Sequence, residues 1–248
     1  MVQRITAKAQ NAYKPSCNQC SLSGICLPIA VNPDDLYRLE AVVDQGRIFD
    51  RGERIFNQCD PFSSCFAVQG GAVKTYFVSK EGEKQVTGFY LPGEVIALDS
   101  VNNDHYSCSA EALERSRLCE IPLDRLQDLA TRIPSLQRHF FQLMSHEIQD
   151  SQQMSVLLNR KTAEQRLATF LLSLSTRFCR RRLSSTQFRL PMARSDIANY
   201  LGLAVETVSR VLTRFQKQKL VSFHGRNCTL EDMDGLQEIV HKFESPCA

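Results

Sequence analysis

The sequence predicts an α+β protein in which a small antiparallel β-barrel or jelly roll is followed by a long helix and a winged helix-turn-helix. Three patterns predict this order. Turn residues recur about every ten positions between β-rich runs over residues 48–122. An uninterrupted helical period runs over residues 134–159, and two helices separated by a glycine follow within residues 193–219.

Length and composition exclude several classes of protein. The chain has 248 residues, of which 43% are hydrophobic and 23% are charged, which is typical of globular domains with real cores. No apolar run approaches the length that spans a bilayer, so we expect no membrane association. Residues 1–16 lack the hydrophobic block of a signal peptide. We therefore expect a cytoplasmic protein in which the ten cysteines are not paired as disulfides, and in which clustered thiols indicate a metal or redox role.

Charge is divided unevenly along the chain. Residues 1–159 carry 15 Lys and Arg against 19 Asp and Glu, a net charge of −4. Residues 160–230 carry 14 against 3, a net charge of +11. A basic block after an acidic first half predicts one part of the protein that contacts a polyanion and one part that does not.

A cysteine-rich loop is predicted for residues 1–29. Cys17, Cys20 and Cys26 follow the spacing C-x2-C-x5-C, with small residues between them that allow the backbone to wrap three sulfurs around one centre. Three thiolates this close suit either an iron–sulfur cluster or a zinc site, each with a fourth ligand from elsewhere. The spacing does not choose between the two.

Residues 30–133 are predicted to form the β-barrel domain. Its clearest β-rich runs are Cys65–Val68, Ala72–Val78 and Gln85–Leu91. Cys119 ends the last run, and a barrel can fold this strand end back toward the N-terminal loop, so Cys119 is a candidate for the fourth ligand. On spacing alone it competes with Cys59, Cys65 and Cys108.

The helix predicted over residues 134–159 has no internal Gly or Pro and carries two stripes at helical spacing. The first stripe is Phe141, Met144, Ile148, Ser151, Ser155 and Leu158. The second stripe is Leu136, Phe140, Leu143, Met154 and Leu157. We expect one stripe to pack on its own domain and the first to form the interface of a homodimer, although an ordinary two-faced core helix has the same periodicity. Glu147 and Asp150 beside the weak middle of the seam predict a marginal dimer.

Residues 160–248 are predicted to form a DNA-binding domain that starts with an amphipathic helix over Thr162–Arg182. This helix ends in a cluster of arginines, which are Arg177, Arg180, Arg181 and Arg182. Such a cluster is either a solvated helix end that complements the helix dipole or a set of phosphate contacts. Lys219–Leu230, with Gly225 at its bend, predicts a β-hairpin wing, and Glu231–Glu244 predicts a short final helix.

The clearest local pattern is a helix over Arg194–Leu201, a turn at Gly202 and a second helix over Val205–Gln218. The second helix has one apolar face and an opposite polar face made of Glu206, Ser209, Arg210 and Thr213. In a helix-turn-helix the early residues of the second helix reach base edges in the major groove. Glu206 can accept from a cytosine amine, Arg210 can donate two bonds to guanine, and Ser209 is small enough to allow close approach.

Several motifs agree in order and spacing from about Cys17 to Leu230. They are Cys17-x2-Cys20-x5-Cys26, Thr87-Gly88-Phe89, Cys119-Glu120-Ile121-Pro122, Asn199-Tyr200-Leu201-Gly202-Leu203 and Val205-Glu206-Thr207-Val208-Ser209-Arg210. Together they resemble the FNR regulators, the oxygen-responsive branch of the cyclic-AMP receptor protein superfamily. The resemblance implies a barrel of the cyclic-nucleotide-binding type, contact with RNA polymerase, and a [4Fe–4S] cluster held by Cys17, Cys20, Cys26 and Cys119.

The same resemblance implies that Glu206, Ser209 and Arg210 read a TTGAT-type half-site of a palindrome in double-stranded DNA. It also implies that the dimer binds DNA while the cluster is intact without oxygen. Oxygen would convert the cluster to a [2Fe–2S] form and loosen the dimer.

Three departures from the family pattern matter. The turn Leu91-Pro92-Gly93-Glu94 resembles part of a cyclic-nucleotide pocket, but residues 106–110 replace the Arg-Ser pair that would hold the phosphate, which argues against nucleotide binding. Ser151 stands where an acidic residue is common in the dimer helix, and Ala204 stands where a capping Ser or Thr is common.

Two other classes of function are weighed against this one. One is a regulator that responds to another small ligand and has zinc-bound or unliganded cysteines. The other is an electron carrier or an enzyme, but the sequence has no cofactor loop or catalytic acid–base pair, so we expect no enzyme.

Overall fold

The computed structural model describes residues 16–241. Residues 1–15 of the predicted cysteine-rich loop and the end of the predicted final helix lie outside the described residues. The chain starts with short 3-10 turns at Cys17–Gln19, Leu27–Ala30 and Pro33–Asp35, followed by helix α1 (Leu36–Val42).

The next part is a double-sheet β-domain. Its strands are β1 (Asp44–Phe49), β2 (Arg54–Phe56), β3 (Ser64–Gly70), β4 (Val73–Val78), β5 (Lys84–Tyr90), β6 (Val95–Ile96), β7 (Ser109–Ala112) and β8 (Ser116–Pro122). They pair antiparallel in two four-stranded sheets with the orders β1-β8-β3-β6 and β2-β7-β4-β5. Phe49, Val68, Val73, Ile96 and Leu118 form part of a buried apolar cluster with residues from both sheets. The predicted antiparallel barrel or jelly roll is confirmed.

Helices α2 (Leu123–Arg132), α3 (Pro134–Arg160) and α4 (Ala163–Arg180) follow the β-domain. The long helix is present as predicted and ends one residue later than expected. Pro134 occupies the first helical position of α3, where its missing N–H costs no hydrogen bond. Thr162 ends the junction and caps α4 through a reciprocal capping box with Gln165. The short junction between α3 and α4 leaves little freedom between the two helices.

The C-terminal part contains β9 (Gln187–Arg189), α5 (Arg194–Tyr200), α6 (Val205–Lys217), β10 (Val221–His224), β11 (Asn227–Leu230) and α7 (Met233–His241). The helix-turn-helix and the wing are both confirmed, with Gly225 at a positive φ of 64° in the bend. Strand β9 joins the wing as a third strand in the order β10-β11-β9. The sequence analysis missed β9 because three residues are too short for a recognisable period.

The β-domain and the helix-turn-helix share one apolar core. Phe89 of β5 lies with its ring centroid 6.0 Å from that of Phe170 in α4 and 5.0 Å from that of Tyr200 in α5. Val86, Leu91 and other β-domain residues belong to the same buried cluster as the apolar faces of α4, α5 and α6. The C-terminal helices are therefore packed on the β-domain as well as joined to it. No helix within residues 16–241 is both long and apolar enough to cross a membrane.

The turn between β3 and β4 depends on Gly71. Its φ is +82°, and a Cβ at this position would lie 2.3 Å from Ser116 Oγ and 2.7 Å from the Arg115 carbonyl oxygen. The Ser116 hydroxyl is fixed there because it accepts from the Ala72 N–H at 3.1 Å, and its single proton has the Glu114 carbonyl at 2.8 Å and the Ala72 carbonyl at 3.1 Å as acceptors. Neither the hydroxyl nor the backbone can move away at low cost.

Gly71→Ala is therefore expected to destabilise the protein more than Gly82→Ala. Gly82 has nearly the same φ of +83° but nothing within 4 Å of an added Cβ. We expect a loss of about 1 kcal/mol for Gly82→Ala from backbone strain alone, and at least about 2 kcal/mol more for Gly71→Ala from the added overlap. Denaturant unfolding of both variants measures the difference, and equal losses would contradict the assigned role of Ser116.

Candidate functional site

Helix α6 presents an exposed polar face. Glu206, Arg210 and Thr213 are exposed and Ser209 is partly exposed, whereas Val208, Val211, Leu212 and Phe215 on the opposite face are buried. Ala204 makes no side-chain cap, because an alanine side chain has no oxygen that could accept a hydrogen bond from the first turn of α6. The helix is therefore held mainly by its apolar face, with an ion pair between Arg214 and Glu164 of α4 near its end. The side chains predicted to read DNA lie on the other face, at the surface.

Two further side chains lie at the surface formed by the start of α6, and neither was among the residues predicted to contact DNA. Arg194, at the first position of α5, has its Nη1 3.5 Å from Ser209 Oγ. Val205 opens α6 with 40% of its surface exposed. An arginine and an aliphatic side chain can contact a phosphate and a thymine methyl, respectively. In the sequence, each of these two residues is marked only by its position at the start of a helix. Only the packing of α5 against α6 shows that the two side chains lie on the same surface.

Arg166 of α4 connects the long helix to the turn of the helix-turn-helix. Its Nη2 donates to the Leu158 carbonyl at 2.6 Å, its Nη1 donates to the Leu201 carbonyl at 2.9 Å, and its Nε donates to the Lys161 carbonyl at 3.0 Å. Gly202, with a φ of +60°, has Leu158 and Arg166 at 3.5 Å from the position of a Cβ. One guanidinium therefore fixes the end of α3 against the turn that orients α6.

All four predicted cysteine ligands line one pocket. Cys17, Cys20 and Cys26 come from the N-terminal loop, and Cys119 comes from β8, where it pairs with Ala67 of β3. Apolar side chains make up most of the remaining lining, namely Leu22, Leu27, Leu39, Val43, Val68 and Ile121. Of the four candidates for the fourth position, Cys119 is the one in this pocket. Within the described part of the chain, no three Cys, His, Asp or Glu side chains are placed to hold a single metal ion.

The N-terminal loop is held in place by α1 and by its own tight turns. Ser16 Oγ donates to the Glu40 carboxylate, and the Asn18 N–H donates to the same carboxylate at 3.2 Å. The carbonyls of Cys17, Cys20 and Cys26 each accept a bond from the N–H three residues later. The resulting coil directs the three thiols to one side.

The pocket opposes ionisation of its thiols. Burial raises the pKa of Cys17 and that of Cys26 to about 12, and neighbouring cysteines add to both increases. Burial also raises the pKa of Cys119, although the backbone N–H of Gly46 acts in the opposite direction. Because the thiolate is the form that binds metal, these crowded thiols ionise together only when positive charge compensates them. The donor set therefore suits a cationic group and is poorly suited to free thiolates.

The two stripes of α3 face different surroundings. Leu136 and Leu157 are buried and the other members of the second stripe are partly buried, so this stripe packs on its own chain as expected. On the other side, Phe141 and Ile148 expose 62% and 58% of their surface. Ser151 and Ser155 are exposed and Met144 is partly exposed. Val156, which the sequence analysis did not name, is 55% exposed beside them.

Two details of α3 differ from the expected seam. The Glu147 carboxylate accepts a hydrogen bond from Tyr90 Oη at 2.8 Å, so it faces the β-domain and does not lie free beside the seam. Leu158 lies against Gly202 and is partly buried, so it supports the helix-turn-helix turn in addition to any contact with a partner. Periodicity could not show either contact because both partners are distant in sequence.

The arginine cluster at the end of α4 divides into two pairs. Arg180 and Arg182 are exposed, as expected for a solvated helix end. Arg177 and Arg181 instead form ion pairs with Glu94 of the β-domain, and the Arg181 side chain is only 5% exposed. The prediction of free or phosphate-binding side chains is therefore wrong for these two, because the carboxylate that binds them lies far away in the sequence.

Comparison with known proteins matches both halves of the chain. Residues 165–239 match the Crp-like helix-turn-helix domain, and residues 47–132 match the cyclic nucleotide-binding domain. The chain is 48% identical over 236 residues to the transcriptional activator protein FnrA of Stutzerimonas stutzeri, covering 95% of this chain and 96% of that protein. It is 40% identical over 223 residues to the fumarate and nitrate reduction regulatory protein of Escherichia coli K12, covering 90% and 89%.

The solved structure of FixK2 from Bradyrhizobium japonicum superposes with a TM-score of 0.72 at 30% identity, covering 82% of this chain and 99% of that one. A β-domain of this type, joined by a long helix to a helix-turn-helix whose second helix is open to solvent, defines a DNA-binding transcription regulator. The chain belongs to the CRP/FNR family, with the FnrA, Anr and Fnr proteins as its close relatives.

Ile148→Lys is expected to weaken self-association at least tenfold without unfolding the chain. Ile148 is largely exposed, and in a two-fold interface each residue of the central seam lies near its own copy, so two like charges would meet. Sedimentation velocity over a range of concentrations measures the change. Gln153→Lys is the matched control, because Gln153 is exposed on the same helix but outside the predicted seam. Equal dimer fractions for both variants would contradict the interface.

Proposed function

We propose that this protein is an oxygen-responsive transcription regulator that binds palindromic DNA as a homodimer while a [4Fe–4S] cluster is held by Cys17, Cys20, Cys26 and Cys119. The observation that carries the proposal is that these four cysteines, from a loop and from a distant strand, line one pocket. The names of the relatives, which are transcriptional activators and fumarate and nitrate reduction regulatory proteins, support transcription regulation. We infer that the target genes are anaerobic genes, which the protein activates or represses.

The donor set fits a cluster better than a single ion. A zinc site requires its ligands around a single ion, and the described side chains include no group of three that could hold one metal ion. Four thiols around one apolar pocket suit a larger group of several atoms. When bound, such a cluster supplies four iron–thiolate bonds and a group with which oxygen can react.

The role of the protein is to transmit the state of the loop to the dimer helix. The loop reaches α1 through Glu40, and the turn at Leu27–Ala30 is in contact with the start of α3. The exposed stripe of α3 supplies the interface with a second copy, and only a small bias of about 1–3 kcal/mol is needed to change a marginal association. Arg166 then fixes the end of α3 to the turn before α6.

Dimerisation creates the DNA-binding surface. Two recognition helices must lie about 34 Å apart, one turn of DNA, to enter successive major grooves. Glu206, Ser209 and Arg210 are then placed to read the two halves of a TTGAT-type palindrome, with Arg194 near the phosphates. The loop Val78–Glu83 between β4 and β5, whose residues 80–83 are exposed, is the surface we propose for contact with RNA polymerase.

Cys119→Ser is expected to abolish the bound iron and operator binding in protein purified without oxygen. The variant removes one of four ligands, so the loop loses its covalent link to β8. Iron and acid-labile sulfide per chain, the visible absorption spectrum and operator affinity are the measurements.

Cys179→Ser is the matched control, because Cys179 is exposed on α4 away from the pocket. Full operator affinity for Cys119→Ser would contradict the proposal. A colourless parent protein that binds zinc would favour the small-ligand or zinc alternative.

Arg210→Ala is expected to lose about 1–3 kcal/mol per half-site, roughly 5- to 150-fold in affinity. Replacing the guanine of the half-site should weaken the parent by a similar factor and leave the variant unchanged. Lys217→Ala serves as the control, since an exposed lysine at the end of α6 should affect all sequences alike. The assignment fails if Arg210→Ala also weakens every sequence equally.

A further inference from the structure

The turn that follows β5, residues 91–94, contacts the end of α4, the first helix of the C-terminal domain, through the carboxylate of Glu94. Glu94 Oε1 accepts from Arg177 Nε at 2.9 Å and from Arg181 Nη2 at 2.6 Å. Glu94 Oε2 accepts from Arg177 Nη2 at 2.5 Å and from the Leu91 N–H at 2.9 Å. Both oxygens are therefore fully used, and two cations from α4 and its end are held at one point of the β-domain.

The two arginines also bind the backbone on either side of the turn. Arg177 Nη2 donates to the Phe89 carbonyl at 2.6 Å, and Arg181 Nε donates to the Pro92 carbonyl at 2.6 Å. The ion pairs are shielded from solvent, since Arg177, Glu94 and Arg181 have side-chain exposures of 23%, 28% and 5%. Burial opposes ionisation of Glu94, but the two guanidinium groups outweigh it and lower its pKa. These contacts fix distance and angle together, because planar guanidinium groups bind in defined directions.

The turn is supported from its other side as well. Gly93 has a φ of +92°, and a Cβ there would lie 2.6 Å from Cδ1 of Ile25 in the cysteine-rich loop. The turn therefore lies between that loop and α4 and cannot shift freely.

A second set of contacts holds the helix-turn-helix itself. Asn199 of α5 donates to the Lys84 carbonyl at 2.8 Å and accepts from the Val86 N–H at 2.5 Å. Lys74 of β4 pairs with Asp196 at 2.9 Å. The orientation of α5 and α6 relative to the β-domain is thus set by two sets of shielded polar contacts and by the apolar core between them, in addition to the more exposed ion pair of Arg189 and Glu114.

We propose that Glu94, with Arg177 and Arg181, is a positioning group that sets the half-site spacing the dimer accepts. The inference rests on the proposed dimeric DNA binding. In a dimer joined along α3, the two β-domains have a fixed relation, so the spacing of the two recognition helices depends on how each C-terminal domain is oriented on its own β-domain. A rigid ion-paired contact favours one spacing, and a loosened contact allows several at an entropic cost.

The test uses the full chain, purified without oxygen, and compares Glu94→Gln with the parent. Three duplexes serve as probes. The first is a TTGAT-type palindrome whose half-sites lie one DNA turn apart, which is called the native spacing. The second has one base pair added between the half-sites, and the third is a single half-site. We expect an unchanged dimer fraction and single half-site affinity, at least tenfold weaker binding to the native operator, and a smaller preference for native over added spacing. Glu94→Asp, which keeps the charge, should lie between the two.

Arg189→Gln is the matched control, because Arg189 forms an exposed ion pair with Glu114 between the same two domains and should change nothing. Arg181→Lys is the second variant if Glu94→Gln does not fold, since a compact ammonium keeps the charge but lacks the planar fork that directs Nε to Pro92 and Nη2 to Glu94. Parent-like spacing preference, tighter operator binding, or equal losses on all three duplexes would overturn the inference. Failure of the parent itself to bind the operator as a dimer would instead contradict the proposed function.

Discussion

The turn after β5 is the constraint on which the arrangement of this protein depends. Within a few residues, Tyr90 bonds Glu147 of the long helix, Gly93 leaves room for Ile25 of the cysteine-rich loop, and Glu94 binds two arginines of α4. The long helix, the cysteine-rich loop and the C-terminal domain therefore all contact one short segment. A displacement of any of these parts is transmitted to the others, because packed side chains and ion pairs are rigid over such distances.

The long helix serves two surfaces and connects two domains. Its inner stripe completes the cores of the β-domain and the C-terminal domain, while its outer side leaves Phe141 and Ile148 uncovered. Large apolar side chains exposed on one helix side are expected where a second copy packs. Arg166 holds the last turn of the helix by the Leu158 carbonyl, so movement of α3 is passed directly to the turn before α6.

Charge has two separate uses in the C-terminal domain. The net charge of +11 over residues 160–230 suggests a surface devoted to a polyanion. Two of its arginines, Arg177 and Arg181, form ion pairs with Glu94 within the protein, and Arg166 donates to backbone carbonyls. The charge that remains at the surface is smaller than the sequence count, and it includes Arg194 and Arg210 near the recognition face. A shielded ion pair such as that of Arg181 and Glu94 holds two elements in a fixed orientation, whereas exposed arginines supply the positive potential that attracts nucleic acid.

The sequence by itself determined the β-rich domain, the long helix and the helix-turn-helix, because their signals are local: turn residues at regular intervals, the helical period of α3, and the helix–glycine–helix pattern at Gly202. It also determined the cysteine trio, whose members lie within ten residues. It did not show the short helices α1 and α2 or the three-residue strand β9. The tertiary structure decided which partner each side chain meets. That Cys119 faces the trio while Cys65 and Cys108 do not, that Glu147 turns toward Tyr90, and that Arg177 and Arg181 bind Glu94 all depend on groups far apart in the chain. Such pairings follow from how the two sheets and the helices pack, and no periodicity along the chain records that packing.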